Sequence, residues 1–431
     1  MTSRLLRLSY AATLVTIIVM AWQVNLPLAL PQFDVASLPL SYLAPAVTLA
    51  EITAMIAIAT YALAGWPNSL VLRSGWRKVF ALAVMGLILY AALSIAWSPQ
   101  RGLAAVQVAH MTIWAAFALL ISCAAWPTTS MAFALLAGLL LHSVVGFIQI
   151  AVQPIVEIVP QNSGISVVFN GAEHWQRVYG LSPHPNLLGG QLAVGEILIC
   201  GLILIAQHRR RFWLIAAWLL CWITLLLTFS RSAWVAALGG GFVALALLLR
   251  GRQLKRAVIK WLFVLLGASL LIVGVFVLAF QPFLLNRLDV ALVPYELQAI
   301  VERLSSDRLA LQIFVAHPLT GVGLAQSIVV MRPLLGTAID WVHNVPLLAA
   351  AELGVGGLIP IELLVIALSA IGVQRWRTRS ITLWQALVGG GLIALCLVMQ
   401  FDHYVWTMAQ GGLLWAWLAG WWLRDDHTIA S

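Results

Sequence analysis

About a dozen apolar runs, each close to twenty residues long, follow one another along this chain, separated by short charged or Pro/Gly-rich breaks. A run of that length crosses the hydrocarbon core of a bilayer as one helix. The candidate spans are 8–30, 41–64, 78–97, 103–125, 131–152, 186–206, 212–228, 232–249, 260–281, 345–373, 381–400 and 403–423. Only 9% of the 431 residues are charged, against about 25% in soluble domains. That deficit excludes an ordinary soluble enzyme, a disordered chain and a small disulfide-stapled domain. The expected fold is all-α, a polytopic membrane helical bundle of about twelve transmembrane helices with a large extracytoplasmic helical loop. Arg4 and Arg7 precede the first run in the manner of a signal peptide, but with eleven runs behind it an uncleaved first helix is expected.

Four stretches organise the chain: residues 1–152 with helices one to five, 153–281 with an outer loop and helices six to nine, 282–344 as a large outer loop carrying an amphipathic helix, and 345–431 with the last three helices and a tail. When the basic residues are assigned to alternate sides, 17 of the 24 fall on one side, in short loops and termini. The positive-inside rule makes that side cytoplasmic, with both termini on it. The formal charge of +9 is therefore a topology signal, and no nucleic-acid partner is expected. Cys123, Cys200, Cys221 and Cys396 lie in apolar runs without metal-ligand or redox spacing and read as packing residues.

The cytoplasmic loops are short and basic, with no Gly-rich phosphate loop, whereas 153–185 and 282–344 on the other side are long. Chemistry, if present, is extracytoplasmic, which argues against ATP or a nucleotide sugar as direct donor. Arg231, in Thr228-Phe229-Ser230-Arg231-Ser232-Ala233-Trp234, stands between two apolar runs. It either snorkels to headgroups or marks a site, as ionisable groups at membrane depth do. Residues 296–317 read as an amphipathic helix with Leu297, Val301, Leu304, Leu311 and Val315 on one stripe. Arg308 falls in phase with that stripe, while Arg303 and Asp307 fall beside it. An arginine on a face expected to be buried needs a carboxylate, a phosphate or a membrane surface.

His343 and Asn344 open the tenth span; the histidine, with an unperturbed pKa nearest neutrality, is the best general base on this face. Asp402 opens the last span beside His403, and either orients an imidazole, pairs with an arginine or caps its helix. His184 and Asn186 open the sixth, with Arg177 just upstream. Glu51, Glu196, Glu352 and Glu362 lie within spans, where hydrogen bonding inside the bundle is the default reading. Glu352 follows His343 on one helix, about 13 Å deeper at 1.5 Å per residue. Two arginines suit a pyrophosphate, whose oxygens and developing charge they can bind, and a neutral histidine suits deprotonation of an acceptor hydroxyl. Together they describe displacement at a carbon bearing a lipid-linked diphosphate. With the arginines carrying the charge, and no outer Asp-x-Asp pair, neither metal nor cofactor is required.

Phe229-Ser230-Arg231-Ser232-Ala233-Trp234, Asp307-Arg308 leading to His317-Pro318-Leu319-Thr320-Gly321-Val322-Gly323, and His343-Asn344 with Glu352-Leu353-Gly354-Val355-Gly356-Gly357 resemble the O-antigen ligase and polymerase superfamily, over about residues 180–405. The resemblance implies a metal-independent, inverting glycosyltransferase in the bacterial inner membrane, with its active site on the periplasmic face. It implies an undecaprenyl-diphosphate-linked glycan as donor and lipid A–core or another glycan as acceptor. By the same resemblance Arg231 and Arg308 grip the diphosphate, His343 activates the acceptor hydroxyl, and Asp402 corresponds to an acidic position before the last span. Arg177, His184, Asn344 and Glu352 are supporting candidates. The superfamily also contains polymerases and protein-glycosylating enzymes, which share these motifs. A transporter or flippase, with a helix break near Gly354, and a non-catalytic scaffold are the competing readings.

Overall fold

The computed structural model describes residues 2–28, 46–66, 75–152, 167–170, 173–251, 256–288, 294–335 and 341–424. Residues 29–30 and 41–45 of the first two expected spans, and Arg73, Arg252 and Lys255 among the topology-defining cations, lie outside them. The protein is an all-α polytopic membrane bundle. Among the described residues nine helices are long and apolar enough to cross a membrane.

The first five helices are α1 (Thr2–Val19), α2 (Leu49–Leu63), α3 (Gly75–Ser94), α4 (Arg101–Cys123) and α5 (Thr128–Ala151). Next come α6 (Pro185–Ile205), α7 (His208–Leu227), α8 (Arg231–Arg250) and α9 (Arg256–Ala279). Three helices fill the long connection that follows: α10 (Gln281–Leu288), α11 (Pro294–Ala316) and α12 (Ser327–Leu335). The chain ends with α13 (Val345–Thr378), α14 (Leu383–Val398), the single turn α15 (Tyr404–Thr407) and α16 (Ala409–Leu423). Two small antiparallel pairs decorate the bundle: β1 (Asn25–Pro27) with β2 (Ala46–Thr48), and β3 (Val167–Asn170) with β4 (Glu173–Gln176).

Helix α6 is the pillar. Nearly every residue of it is buried, against α5, α7, α8 and α14. Its glycines let neighbours approach closely: Gly189 faces Ser230 of the α7–α8 turn and Ala233 on α8, and Gly190 faces the Tyr404 hydroxyl. By contrast α9 touches little besides α7 and α10 and leaves Phe263, Leu270 and Leu278 exposed. In a bilayer such a face meets lipid tails, which are as apolar as a protein core. Of the four free cysteines, Cys221 is buried, Cys123 and Cys200 are half-buried, and Cys396 is exposed.

The last expected span is interrupted. Met408 is extended, so α15 and α16 are separate and the chain turns between them. Helix α13 is also broken, at Gly354, whose φ of 59° is left-handed. The break releases backbone groups that a helix would have paired. They bond the 318–323 segment instead: Val322 N donates to Ala351 O at 3.1 Å and Gly323 N to Glu352 O at 2.8 Å. Val355 N donates to Pro318 O at 2.8 Å and Gly356 N to Leu319 O at 3.3 Å. Non-helical backbone at membrane depth is tolerated where protein satisfies it in this way. The His317–Gly323 and Glu352–Gly357 stretches therefore pair with each other across the interface of α13 with the connection. A Cβ at Gly354 would come 2.6 Å from the Leu319 carbonyl carbon, so both the backbone conformation and the close approach require glycine.

Candidate active site

The site forms where α6, α8, α13 and α15 begin. The α7–α8 turn is tight: Phe229 takes a positive φ of 49°, and the Thr228 hydroxyl accepts from Ser230 N at 3.3 Å. This conformation is uncommon for a non-glycine residue, and it sets the half-buried Arg231 at the first residue of α8. Arg177, only 7% exposed, braces the turn from beside it. Its Nε donates to Thr228 O at 2.7 Å and its guanidinium donates to Asn186 Oδ1 at 2.6 Å. Asn186 in turn donates through Nδ2 to Asp402 Oδ2 at 3.0 Å. His184 caps α6, its Nδ1 accepting from Asn186 N at 3.1 Å. A continuous chain of hydrogen bonds thus joins the Arg231 turn to a carboxylate 216 positions beyond Asn186.

Asp402 is 4% exposed, and its Oδ1 also accepts from His403 N at 2.9 Å. Ligand atoms of His343, Asp402 and His403 lie within 4.8 Å of one another, a grouping that could hold a metal ion. Both imidazoles are oriented by their Nδ1 atoms. His343 Nδ1 lies 2.8 Å from Trp341 O; a carbonyl only accepts, so Nδ1 carries a proton, and in the neutral ring Nε2 is then the acceptor. His403 Nδ1 lies 2.7 Å from Thr407 Oγ1, whose own hydroxyl donates to His403 O, so the same tautomer follows. The two rings meet edge to face at 5.3 Å, and Trp341 stacks on His403.

Burial acts to raise the Asp402 carboxyl, but the fields of His343, His403, His184 and Arg303 outweigh it and hold it below the usual carboxylate range. Asp402 is ionised at neutral pH and suited to stabilise an imidazolium beside it. Asp307 behaves oppositely. Burial pushes its carboxyl up against the opposing fields of His343 and Arg303, and its Oδ1 is buried with no hydrogen-bond partner among the described residues.

Helix α11 corrects one expectation. The stripe of Leu297, Val301, Leu304, Leu311 and Val315 is exposed, and Arg308 is exposed with it. The face that packs inward is the one of Ser306, Ala310 and Ile313. The stripe itself is present; in a membrane protein its apolar face points outward. Arg303 and Asp307, one turn apart, flank the inward face, and their charges act on the site. These two, together with His403, are the additions that the fold makes. The signal available in the sequence was their position beside the stripe, and for His403 its adjacency to Asp402.

The supporting candidates divide. Asn344 caps α13, its Oδ1 accepting from Leu347 N at 3.0 Å, which sets the helix start directly after His343. Glu352 is fully buried, accepting from Ser327 Oγ at 2.8 Å and Trp406 Nε1 at 2.9 Å. It staples α12, α13 and α15 together and does not contact the imidazoles. The N-terminal helices contribute a second carboxylate–imidazole pair, Glu51 with His110 at 2.5 Å.

No curated protein matches the chain. Residues 215–361 match the family model described as O-antigen ligase. That stretch contains Arg231, Arg303, Asp307, Arg308, His343 and Glu352, whereas Arg177, His184, Asn186 and Asp402 lie outside it. Over residues 215–361, about a third of its length, this membrane protein is thus similar to the O-antigen ligase family.

Proposed function

We propose that the protein is a ligase-type glycosyltransferase that moves a glycan from an undecaprenyl-diphosphate carrier to an acceptor hydroxyl, with lipid A–core as the acceptor. The observation that carries this reading is the hydrogen-bonded chain from the Arg231 turn through Arg177 and Asn186 to Asp402, beside an imidazole whose lone pair is on Nε2. Cations for a leaving group and a base for a nucleophile are thereby held in one frame.

In the proposed reaction His343 Nε2 takes the proton of the acceptor hydroxyl as its oxygen bonds the anomeric carbon. The bond from that carbon to the diphosphate oxygen breaks on the opposite side, and the electron pair leaves with the diphosphate. The anomeric configuration inverts. Asp402 stabilises the imidazolium that forms. Arg231 receives the departing charge. Arg303, close enough to act on Asp402, and Arg308, exposed among apolar residues, complete the cationic side. In that arrangement Arg308 meets the carrier's diphosphate from the lipid side. The arginines suffice for the charge, so the proposal needs no metal ion.

The placement of the remaining cations supports an extracytoplasmic site in the inner membrane. Arg209, Arg210, Arg250, Arg375, Arg377 and Arg379 all lie at the helix ends remote from His343 and Arg231. By the positive-inside rule that end, with both termini, is cytoplasmic.

The test is transfer from purified carrier-linked glycan by the full chain in EDTA, comparing the wild type with Arg231→Ala and His343→Ala at equal folded amount. Product on lipid A–core that disappears in both variants supports the ligase. Extension of the donor glycan alone assigns a polymerase with the same chemistry, and wild-type activity in His343→Ala removes the general base.

A further inference from the structure

The arginines at the helix ends remote from Arg231 divide into two kinds. Those of the first kind are engaged by the protein itself. Arg77 donates through Nε to Leu423 O at 2.8 Å, and Arg375 donates to Trp422 O at 2.6 Å and Arg424 O at 2.7 Å, so both satisfy the end of α16. Arg250 donates to Trp376 O at 3.2 Å, with its guanidinium 5.4 Å from that indole. Arg211 closes the end of α6: it donates to Ile203 O and Ala206 O, and its guanidinium lies 4.5 Å from the Trp261 ring. These carbonyls belong to helix C-termini, where intrahelical donors run out.

Arg209 and Arg210 are of the other kind. Both are exposed, and neither makes a hydrogen bond or an ion pair among the described residues. With His208, Arg211 and Trp213 they line an open concavity of about 880 Å³ at the start of α7, within the range of about 300–1,000 Å³ that small-ligand sites occupy. Between Glu196 and Asp289 the chain has no aspartate or glutamate, so α7, α8 and α9 bring no carboxylate to it. Phe212 and Trp213, next in sequence, are 66% and 68% exposed, with their rings edge to face at 5.5 Å. Two unpaired guanidinium groups beside exposed aromatic rings have the polarity of a membrane interface: the cations suit a phosphate, the rings the glycerol and upper acyl chain.

We propose that this concavity binds the headgroup of an anionic phospholipid, with Arg209 and Arg210 on the phosphate and Trp213 against the glycerol backbone and acyl chains. In the orientation proposed above the lipid belongs to the cytoplasmic leaflet, where juxtamembrane cations meet anionic headgroups. A free phosphate ion shares the charge but leaves both exposed rings uncovered, which favours the lipid. The site goes beyond the transferase reading and does not depend on it. It lies about 30 Å from the Arg231 turn, the length of the 20 residues of α7 at about 1.5 Å per residue. A bound lipid thus holds one end of the helix whose other end leads into that turn.

Binding is read on the full chain in mild detergent by native mass spectrometry, titrating phosphatidylglycerol or phosphatidylcholine, with inorganic phosphate as competitor. Wild type is expected to bind phosphatidylglycerol at least tenfold more tightly than phosphatidylcholine. Arg209→Gln/Arg210→Gln should lower the phosphatidylglycerol affinity about tenfold or more, the order expected for two arginines near an anionic surface, and leave that for phosphatidylcholine unchanged. Arg377→Gln/Arg379→Gln removes the same charge from exposed positions at the end of α13 and should change neither affinity. A thermal midpoint near that of wild type shows that the first pair is folded; if the pair unfolds, Arg209→Gln and Arg210→Gln singly carry the test, each with about a threefold loss. Equal affinity of wild type for the two lipids, equal losses in the two double variants, or displacement of phosphatidylglycerol by millimolar inorganic phosphate overturns the lipid site. Glycosyl transfer does not enter this readout, so failure of the transferase reading leaves the lipid site standing, and the reverse.

Discussion

Among the described residues stand two carboxylate–imidazole groupings that differ in how completely the carboxylate is satisfied. Glu51 on α2 accepts from Thr48 N at 3.0 Å, Thr48 Oγ1 at 3.1 Å, His110 Nδ1 at 2.5 Å and Trp114 Nε1 at 3.1 Å. Asp402 accepts from Asn186 Nδ2 and from the adjacent backbone, and ligand atoms of His343 and His403 lie within 4.8 Å of it and of each other. The first arrangement is closed, and its carboxylate holds α2 to α4. The second gathers two imidazoles beside a held negative charge, the arrangement on which the proposed general-base role of His343 rests. In the proposed reading the same two chemical groups are structural in one place and reactive in the other because of the surrounding donors.

The largest test of that contrast is His343→Ala, which should lower transfer by about 10²–10⁴-fold while leaving the thermal midpoint near that of wild type. A variant that unfolds, or one that retains full rate, would erase the distinction. Glu51→Ala should do the reverse. Removing a buried carboxylate that accepts several hydrogen bonds leaves its donors unsatisfied, at about 1–3 kcal/mol each, so its thermal midpoint should drop markedly, with the turnover of the folded fraction retained.

A smaller effect separates the arginines of α11. Arg303→Ala removes a charge that acts on Asp402 and Asp307. It should reduce kcat by about 10–100-fold, the equivalent of one charged hydrogen bond at about 1.5–3 kcal/mol. Arg308→Ala, on the exposed face, should mainly raise the KM for the lipid-linked donor. Equal kcat losses in both variants would place the two side chains in one cluster.

The smallest effect is in pH dependence. Asp402 is held low in the folded protein, so the stability it contributes persists above the unfolded value of about 3.9. That contribution is lost only as pH falls through the lower folded value. Asp307 is shifted the other way: its ionised form opposes folding at neutral pH, and the penalty fades as pH falls through a folded value above 3.9. Asp402→Asn should therefore lower the thermal midpoint at pH 7. Asp307→Asn should raise it slightly, with a difference from wild type that shrinks towards pH 4. A midpoint in Asp307→Asn that is lower than wild type at pH 7 would contradict the assignment.

How far the sequence reaches is clear from particular elements. The apolar runs mark the helices because hydrophobic length is a local property. Polar residues at run boundaries mark His184, His343 and Asp402 because a charged or hydrogen-bonding group inside lipid is costly. The Gly354 break was visible as a glycine-rich stretch. Its partner was not, since pairing Ala351–Gly356 with Pro318–Gly323 depends on how α13 and the preceding connection dock. The stripe of α11 had the right residues and the opposite direction, because lipid and protein core attract the same apolar side chains.

The sequence by itself determined that this protein spans a membrane many times and that its out-of-place arginines, histidines and aspartates collect at the helix ends opposite its basic loops. Those are properties of composition and spacing along one helix at a time. Only the tertiary structure decided which of these groups meet. Asn186, Thr228 and Asp402 come from segments far apart in the chain, and a hydrogen bond acts over about 3 Å, a distance that no sequence spacing specifies. The same holds for the tautomer of His343, set by one carbonyl of Trp341, and for the choice of Arg303 over Arg308 as the arginine acting on Asp402.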